Sequence, residues 1–376
     1  MEDQNEGRVA ATTGSQFSGA RPQEASGARR RKGPKLAVRL GLTVVGAAAV
    51  GATAVLAGCA SMPKSEIRAQ LLALEKNRAV ADIGLESLTM RADLDGEGAR
   101  EYELVYLHVP VDPGYSGPSR APIVLVHGTP DTLFAWSPLI FGEDGGPGLA
   151  GPRDVYAIEV IGHGIAPGSG RGTTFERCAR FVNAAVDALG IEPAHIVGNS
   201  YGGEFAWRAA LNAPGDFASL TIIDSSGYER RPEEFLPEEV EMRENGLAGI
   251  GYLINSRERI RTALEPHYDV VPDGRVDEVF LVAENRDNWL AMVDLVRDEE
   301  GWRQDEIANI TTPTLVVWGE NDIAYDLDRF GRRFAEDLPY SKLVVFPDTG
   351  HYPHESRRRE FLATIEDYYR QIEGVR

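Results

Sequence analysis

The chain has 376 residues, of which 43% are hydrophobic and 26% charged, and its formal net charge is -19 at pH 7. This length allows one large globular domain with an insertion, or two ordinary domains. The acidic balance argues against nucleic-acid binding, and two cysteines are too few for a disulfide framework.

Residues 1–58 are predicted to be a leader and not part of the fold. A basic cluster at Arg29–Lys32 precedes a stretch without charge, Leu40–Gly58, which ends in Leu56-Ala57-Gly58-Cys59. This order of segments resembles a bacterial lipoprotein signal, and the resemblance implies that Cys59 is lipidated and becomes the mature N-terminus. An uncleaved membrane anchor or ordinary cleavage stays open, because the apolar stretch is long enough to span a bilayer.

The leader has more basic than acidic residues, unlike the rest of the chain. Residues 1–58 hold eight Lys/Arg and four Asp/Glu, so the remaining chain has a net charge of -23, four units more negative than the whole. We therefore expect an acidic globular body outside the cytoplasm, in a bacterial cell envelope, attached to the membrane through lipidated Cys59 or an N-terminal anchor.

The elements after the leader alternate between strands and helices. A helix is predicted near Lys64–Val80, and two paired strands follow at Ser87–Leu94 and Glu101–Val109. Short apolar runs, typical of parallel strands buried on both faces, follow at 123–126, 155–160, 195–197, 220–223, 314–317 and 343–346. Crossover helices are predicted at 174–189, 201–212, 327–337 and 359–372. This alternation predicts an α/β fold with a doubly wound, mostly parallel sheet.

One interval contains no clear buried strand. Between Ser226 and about Ile310, helical patterns occur at 237–245, 256–264 and 276–296. The predicted organisation is therefore a first part of the core at 59–226, an inserted helical cap at 227–310, and a last part of the core at 311–376.

The stretch Gly198-Asn199-Ser200-Tyr201-Gly202 lies where a predicted buried strand turns into a helix. A serine in such a turn is a candidate nucleophile, which needs a base and an acid that orients the base. His351 follows the last predicted strand and Asp322 follows the strand before it. Asp224, at the end of the preceding strand, is an alternative acid, and Asp326 is nearby.

Four landmarks carry a family resemblance: Val126-His127-Gly128-Thr129-Pro130, Gly162-His163-Gly164, the serine turn, and Gly350-His351. On these motifs, residues from about 85 to 376 resemble the α/β-hydrolase family with a helical cap. The resemblance implies an oxyanion hole made by the backbone N–H groups of Thr129 and Tyr201. His127 and His163 are expected to hold loops around the site.

No metal or cofactor is expected, since His351 and His354 have no third ligand beside them in the sequence. Four aromatic residues are candidates for lining an acyl pocket, with core packing as the alternative: Phe134, Trp136, Trp289 and Trp302.

The resemblance implies a serine hydrolase that cleaves a small or medium carboxylic ester through an acyl-serine intermediate. A serine at the turn disfavours the chemistry of haloalkane dehalogenases and many epoxide hydrolases, which have an aspartate there. Cleavage of an amide, thioester, lactone or carbon–carbon bond, or acyl transfer, stays open. A non-catalytic envelope binding protein is disfavoured because all three candidate residues are present.

Overall fold

A computed structural model of the chain describes residues 61–142 and 148–374. The predicted leader, with its apolar stretch Leu40–Gly58 and Cys59, lies outside the described residues. Within the described ranges, every helix is too short or too polar to cross a bilayer.

The described part is built on one eight-stranded sheet. Its strands are β1 Glu86–Ala92, β2 Arg100–Val109, β3 Ile123–Val126, β4 Val155–Ile158, β5 Ala194–Asn199, β6 Phe217–Ile223, β7 Thr314–Gly319 and β8 Ser341–Phe346. Their order is β1-β2-β4-β3-β5-β6-β7-β8. The pairs β1–β2 and β2–β4 are antiparallel, and all other neighbouring pairs are parallel. The predicted doubly wound, mostly parallel sheet is therefore confirmed.

The α-helices alternate with the strands. They are α1 Lys64–Ala73, α2 Arg78–Ile83, α3 Ser137–Phe141, α4 Phe175–Leu189, α5 Tyr201–Asn212, α6 Pro237–Glu244, α7 Arg257–Leu264, α8 Arg275–Ala283, α9 Arg286–Asp298, α10 Arg332–Asp337, α11 Pro353–Ser356 and α12 Arg358–Glu373. Helices α6 to α9, with 3₁₀ turns at Ala248–Ile254 and Glu265–His267, lie between β6 and β7 in the chain.

The sheet has a hydrophobic core on each face, because successive side chains of a strand point to opposite sides. Along β3, Val124 and Val126 join the core that contains α4 and α5, whereas Ile123 and Leu125 join the core that contains α1, α3 and α12. Strands buried on both faces need apolar residues at every position, which accounts for the non-alternating runs in the sequence.

Three predicted helices are interrupted. The helix predicted at 64–80 stops at Ala73, and α2 begins only at Arg78. The pattern at 276–296 divides into α8 and α9, because the Asn285 side chain accepts hydrogen bonds from the N–H groups of Asp287 and Asn288 and so starts a new helix. The helix predicted at 327–337 begins with a π-helical turn, Leu327–Gly331.

Candidate active site

Ser200 occupies a sharp turn between β5 and α5. Its backbone has φ 57° and ψ -125°, a conformation that L-residues rarely adopt. A Cβ atom on Gly198 would lie 2.1 Å from the carbonyl oxygen of Gly202, and one on Gly202 would lie 2.4 Å from that of Val126. The glycines on both sides of the serine are therefore required by close backbone packing, and they let the strained turn form.

Asp322 and His351 form a buried pair at the carboxyl ends of β7 and β8. Nδ1 of His351 lies 2.9 Å from Oδ2 of Asp322, and the other carboxylate oxygen accepts the N–H of Ala324 at 2.8 Å. The side-chain amide of Asn199, which precedes the serine, donates to the carbonyl oxygen of His351 at 3.3 Å. These bonds fix the imidazole with Nδ1 toward the acid and leave Nε2 for another partner.

Asp224 lies beside this pair but has a different hydrogen bond. It is fully buried and follows β6 with φ 44°, and its Oδ1 accepts the N–H of Gly319 at 2.9 Å. Burial, together with the nearby charge of Asp322, raises the pKa of Asp224 well above its usual value. The structure therefore pairs His351 with Asp322 and leaves Asp224 bonded to the backbone of Gly319. Asp326, the other nearby acid, caps the turn at Leu327 and accepts the N–H of Arg329 at 3.0 Å.

Among the described residues, Asp224, Asp322 and His351 have the geometry that could hold a cation. One ligand atom from each lies within 4.8 Å of the others. A cation there would compete for the nitrogen and oxygen that already form the His351–Asp322 hydrogen bond. His354 is not part of this group, since its ring packs against Trp136 at 4.9 Å.

The loop after β3 passes directly against the serine. A Cβ atom on Gly128 would lie 3.1 Å from that of Ser200, so the loop approaches closely only because this residue is glycine. Nδ1 of His163 bonds the carbonyl oxygen of Ile161 at 3.0 Å and so carries the proton. Its Nε2 therefore accepts from the Thr129 hydroxyl at 2.6 Å, which anchors the residue predicted to form one half of an oxyanion hole.

His127 anchors the same loop from its other side. Its Nδ1 donates to the carbonyl oxygen of Gly128 at 2.8 Å, and its Nε2 accepts the N–H of Val160 at 3.1 Å. Burial lowers the pKa of His127 to about 4 and that of His163 to about 3, so both rings are neutral. Both histidines have the loop-holding contacts expected from the sequence.

Tyr201 is the first residue of α5, where backbone N–H groups have no acceptor within the helix. Its buried hydroxyl donates to Glu299 at 2.7 Å, and the hydroxyl of Tyr325 donates to the other oxygen of the same carboxylate at 3.0 Å. Arg230 bonds Glu299 at 3.1 Å and reaches Glu239 in α6. Burial raises the pKa of Glu299 to about 7, although the Arg230 charge opposes that shift. This network connects the residue after the serine to the inserted helices.

Glu299 was not predicted from the sequence. It lies in the acidic run Asp298-Glu299-Glu300, which looks like a solvated helix end, and its partners are 26 to 98 residues away in the chain. The burial of Glu299 cannot be recognised from its neighbours in the sequence, because the adjacent Glu300 is exposed.

A small apolar cleft lies beside the oxyanion-type loop. It is lined by Pro130, His163, Gly164, Val282, Ala283, Asn288, Trp289 and Met292. Of the four aromatic candidates, Trp289 lines this cleft. Phe134 and Trp136 are buried in the core, and Trp302 is 62% exposed.

The inserted helices also touch the loop that carries His351. The N–H of His351 donates to the carbonyl oxygen of His267 at 3.2 Å, and the two imidazole rings lie 5.5 Å apart. A Cβ atom on Gly350 would lie 2.4 Å from that same carbonyl oxygen, so the contact depends on glycine.

Comparison with known proteins identifies relatives of this architecture. The chain is 25% identical over 258 residues to the uncharacterized hydrolase YugF of Bacillus subtilis, an alignment that covers 68% of this chain and 92% of the relative. It is 24% identical over 262 residues to 2-hydroxy-6-oxononadienedioate/2-hydroxy-6-oxononatrienedioate hydrolase of Paraburkholderia xenovorans, covering 67% and 88%.

Among solved structures, a thermophilic esterase from Thermogutta terrifontis superimposes with a TM-score of 0.61 at 19% identity, covering 76% of this chain and 99% of the esterase. This likeness concerns the fold. The model of the alpha/beta hydrolase family matches residues 123–364, which include the serine turn, both acids and His351. The chain therefore belongs to the alpha/beta hydrolase family and is an enzyme, a hydrolase.

Proposed function

We propose that the protein is a serine hydrolase that cleaves a carboxylic ester through an acyl-serine intermediate. The observation that carries this proposal is the arrangement at the strand ends. Ser200 lies in a strained turn after β5, and the hydrogen-bonded pair Asp322–His351 follows β7 and β8 of the same sheet. Parallel strands bring their carboxyl ends to one edge, where open α/β sheets bind ligands.

Each residue has a definite role in the proposed reaction. The Ser200 oxygen attacks the acyl carbonyl while Nε2 of His351 takes the proton of the Ser200 hydroxyl. Asp322 stabilises the resulting imidazolium. The N–H groups of Thr129 and Tyr201 receive the oxyanion. Losing one such donor typically costs about 3 kcal/mol of barrier height. His351 then protonates the leaving alcohol, and a water that it deprotonates releases the acid and restores the serine.

The apolar lining of the cleft favours an ester with a neutral acyl group over a charged substrate. None of the described residues that line the cleft is Lys or Arg, and Val282, Ala283, Trp289 and Met292 make its wall apolar. The Paraburkholderia relative is named for a dicarboxylate substrate, whose second negative charge would have no cation in such a lining. Amides, thioesters, lactones, carbon–carbon bonds and acyl transfer are the second candidate, and a substrate panel would separate them.

Labelling with a fluorophosphonate probe tests the proposed nucleophile. We expect the folded protein to be labelled, and Ser200→Ala to lose labelling completely, because the probe needs an activated serine hydroxyl. Ser169→Ala, at an exposed loop serine, is the matched control and should label like the wild type. A folded wild type that resists the probe, or a Ser200→Ala variant that still reacts, would contradict the proposal.

We also propose that the hydrolase is attached to the bacterial membrane through Cys59. The support is the match of Leu56-Ala57-Gly58-Cys59 to a lipoprotein cleavage site after an uncharged stretch. Metabolic labelling with a fatty-acid analogue should mark the full chain and fail in Cys59→Ala. Cys178→Ala is the control, because Cys178 is buried in α4 and should not affect lipidation. Unchanged lipid incorporation in Cys59→Ala would overturn the assignment.

A further inference from the structure

The inserted region exposes an uncharged segment, residues 245–256, on a protein that is otherwise rich in charge. Twelve consecutive residues between Glu244 and Arg257 have no charged side chain, whereas 26% of the whole chain is charged. Within this segment Leu247 is 67% exposed and Ile254 is 59% exposed. Two large aliphatic side chains facing solvent in one short uncharged segment indicate an interaction surface.

The segment packs against α9. The indole N–H of Trp289 donates to the carbonyl oxygen of Ala248 at 2.7 Å. A Cβ atom on Gly251 would lie 2.4 Å from the Trp289 ring, and one on Gly249 would lie 3.2 Å from Leu290. The glycines let the backbone lie flat on the helix. Because Trp289 also lines the cleft, the uncharged segment lies next to the cleft beside the oxyanion-type loop.

The described chain begins at the same helix. The Ser61 hydroxyl accepts the N–H of Arg286 at 2.9 Å, the N–H of Met62 donates to Glu284 at 3.2 Å, and Asn285 donates to the Met62 carbonyl oxygen at 2.8 Å. Asn285 is the residue that caps α9. The start of the described chain is therefore fixed at the first turn of the helix that carries Trp289 and Met292.

This attachment limits how far the body could lie from the proposed membrane anchor. In the sequence only Ala60 separates Cys59 from Ser61, and two residues of extended chain reach about 7 Å at most. An anchor at Cys59, or an uncleaved apolar stretch ending at Gly58, would hold the first turn of α9 near the bilayer surface.

We propose that segment 245–256 docks on the bilayer that carries the protein's own anchor, and that the substrates are neutral esters dissolved in that bilayer. This inference rests on the proposed function for its substrate class and on the proposed membrane attachment for the orientation of the body. Leu247 and Ile254 would enter the headgroup boundary, and the apolar cleft that Trp289 lines would lie beside them. A zwitterionic surface suits the net charge of -23 after residue 58, because anionic lipid would repel it.

Vesicles of phosphatidylcholine test the proposal with the full chain bound to them. The double variant Leu247→Ser, Ile254→Ser should hydrolyse p-nitrophenyl butyrate in solution at the wild-type rate. It should lose about tenfold in turnover of a long-chain ester embedded in the vesicles, because it loses part of its apolar contact with lipid. Tyr340→Ser is the matched control. Tyr340 is 64% exposed and precedes β8, at the edge of the sheet opposite the candidate active site, so this variant should behave like the wild type.

A second measurement does not depend on catalysis. Leu247→Trp should show a fluorescence component quenched by brominated phosphatidylcholine, whereas Tyr340→Trp should add none. Quenching without hydrolysis of either ester would leave the docking surface in place and count against the proposed ester function alone.

Three results would overturn the docking surface. They are the absence of quenching at position 247, an equal loss in Tyr340→Ser, and full vesicle turnover by the double variant. If the double variant instead converts a dimer to a monomer in sedimentation, with no change on vesicles, the occupant of the surface is a second copy of the chain and not the bilayer.

Discussion

Asp224 and Asp322 are two buried carboxyl groups that follow neighbouring strands, and they are expected to respond very differently to the same substitution. Asp322→Asn should lower turnover by several orders of magnitude, because an amide cannot stabilise the cationic His351 ring and favours the wrong tautomer. Asp224→Asn should retain turnover within about threefold, because Asp224 does not contact His351 by a hydrogen bond and the amide oxygen of asparagine can still accept the N–H of Gly319. Steady-state kinetics on a soluble ester measures both.

The reverse pattern would move the acid role to Asp224. If Asp224→Asn loses activity and Asp322→Asn retains it, the hydrogen bond between Asp322 and His351 does not operate during turnover. Comparable losses in both variants would instead mean that the two carboxyl groups act as one unit. Circular dichroism of each variant checks that the fold is intact.

The candidate site was predictable from the sequence wherever its residues follow strands. Ser200, Asp322 and His351 each come shortly after an apolar run, and parallel strands place such positions along one edge. Glu299 was not predictable, because its role depends on Tyr201, Tyr325 and Arg230 meeting it in the folded chain. Contacts of a buried carboxylate with residues far away in the chain leave no periodic pattern in the sequence.

At the scale of elements, the strands were easier to predict than the ends of the helices. Burial on both faces makes a parallel strand a continuous apolar run, so the six runs after residue 120 all became strands. A helix end depends on a single capping group. Asn285 divides the pattern at 276–296 because its side chain accepts hydrogen bonds from two backbone N–H groups. The apolar periodicity of the sequence does not reveal this helix end.

The network around Glu299 joins α5 to the inserted helices, and its stability should depend on pH. The pKa of Glu299 is raised from 4.5 to about 7 in the folded protein, so the folded state binds its proton more tightly than the unfolded state does. The stabilisation that comes from this tighter proton binding is fully present below pH 4.5 and is lost as the pH rises through 7. Between pH 5.5 and 8, the free energy of unfolding of the wild type should fall by roughly 2 kcal/mol relative to Glu299→Gln.

Urea unfolding at several pH values measures this difference, and the adjacent Glu300→Gln supplies the control. Glu300 is about half exposed and pairs with Arg243 at the surface, so its variant should track the wild type at every pH. A difference between the wild type and Glu299→Gln that stays constant from pH 5.5 to 8 would mean that Arg230 and the two tyrosines keep Glu299 ionised throughout.

At the scale of the whole molecule, one buried arginine connects the inserted helices to both loops of the candidate active site. Arg275, the first residue of α8, pairs with Asp131 after the Thr129 loop and lies 3.7 Å from Glu355 after the His351 loop. Its Nε also donates to the Tyr268 hydroxyl at 3.1 Å. These contacts hold three separate parts of the chain in one arrangement.

Arg275→Met should therefore destabilise the protein by about 3–5 kcal/mol, because it leaves the buried Asp131 carboxylate without its partner. Arg257→Met removes a different ion pair of the inserted region, with Asp277, in which both side chains are about half exposed. That control should cost less than about 1 kcal/mol. Urea unfolding measures the two losses, and the rate of fluorophosphonate labelling should fall only in Arg275→Met, since only Arg275 contacts the loops beside Ser200 and His351. Equal losses of unfolding free energy in the two variants would mean that Arg275 acts through its charge at long range and not through its buried contacts.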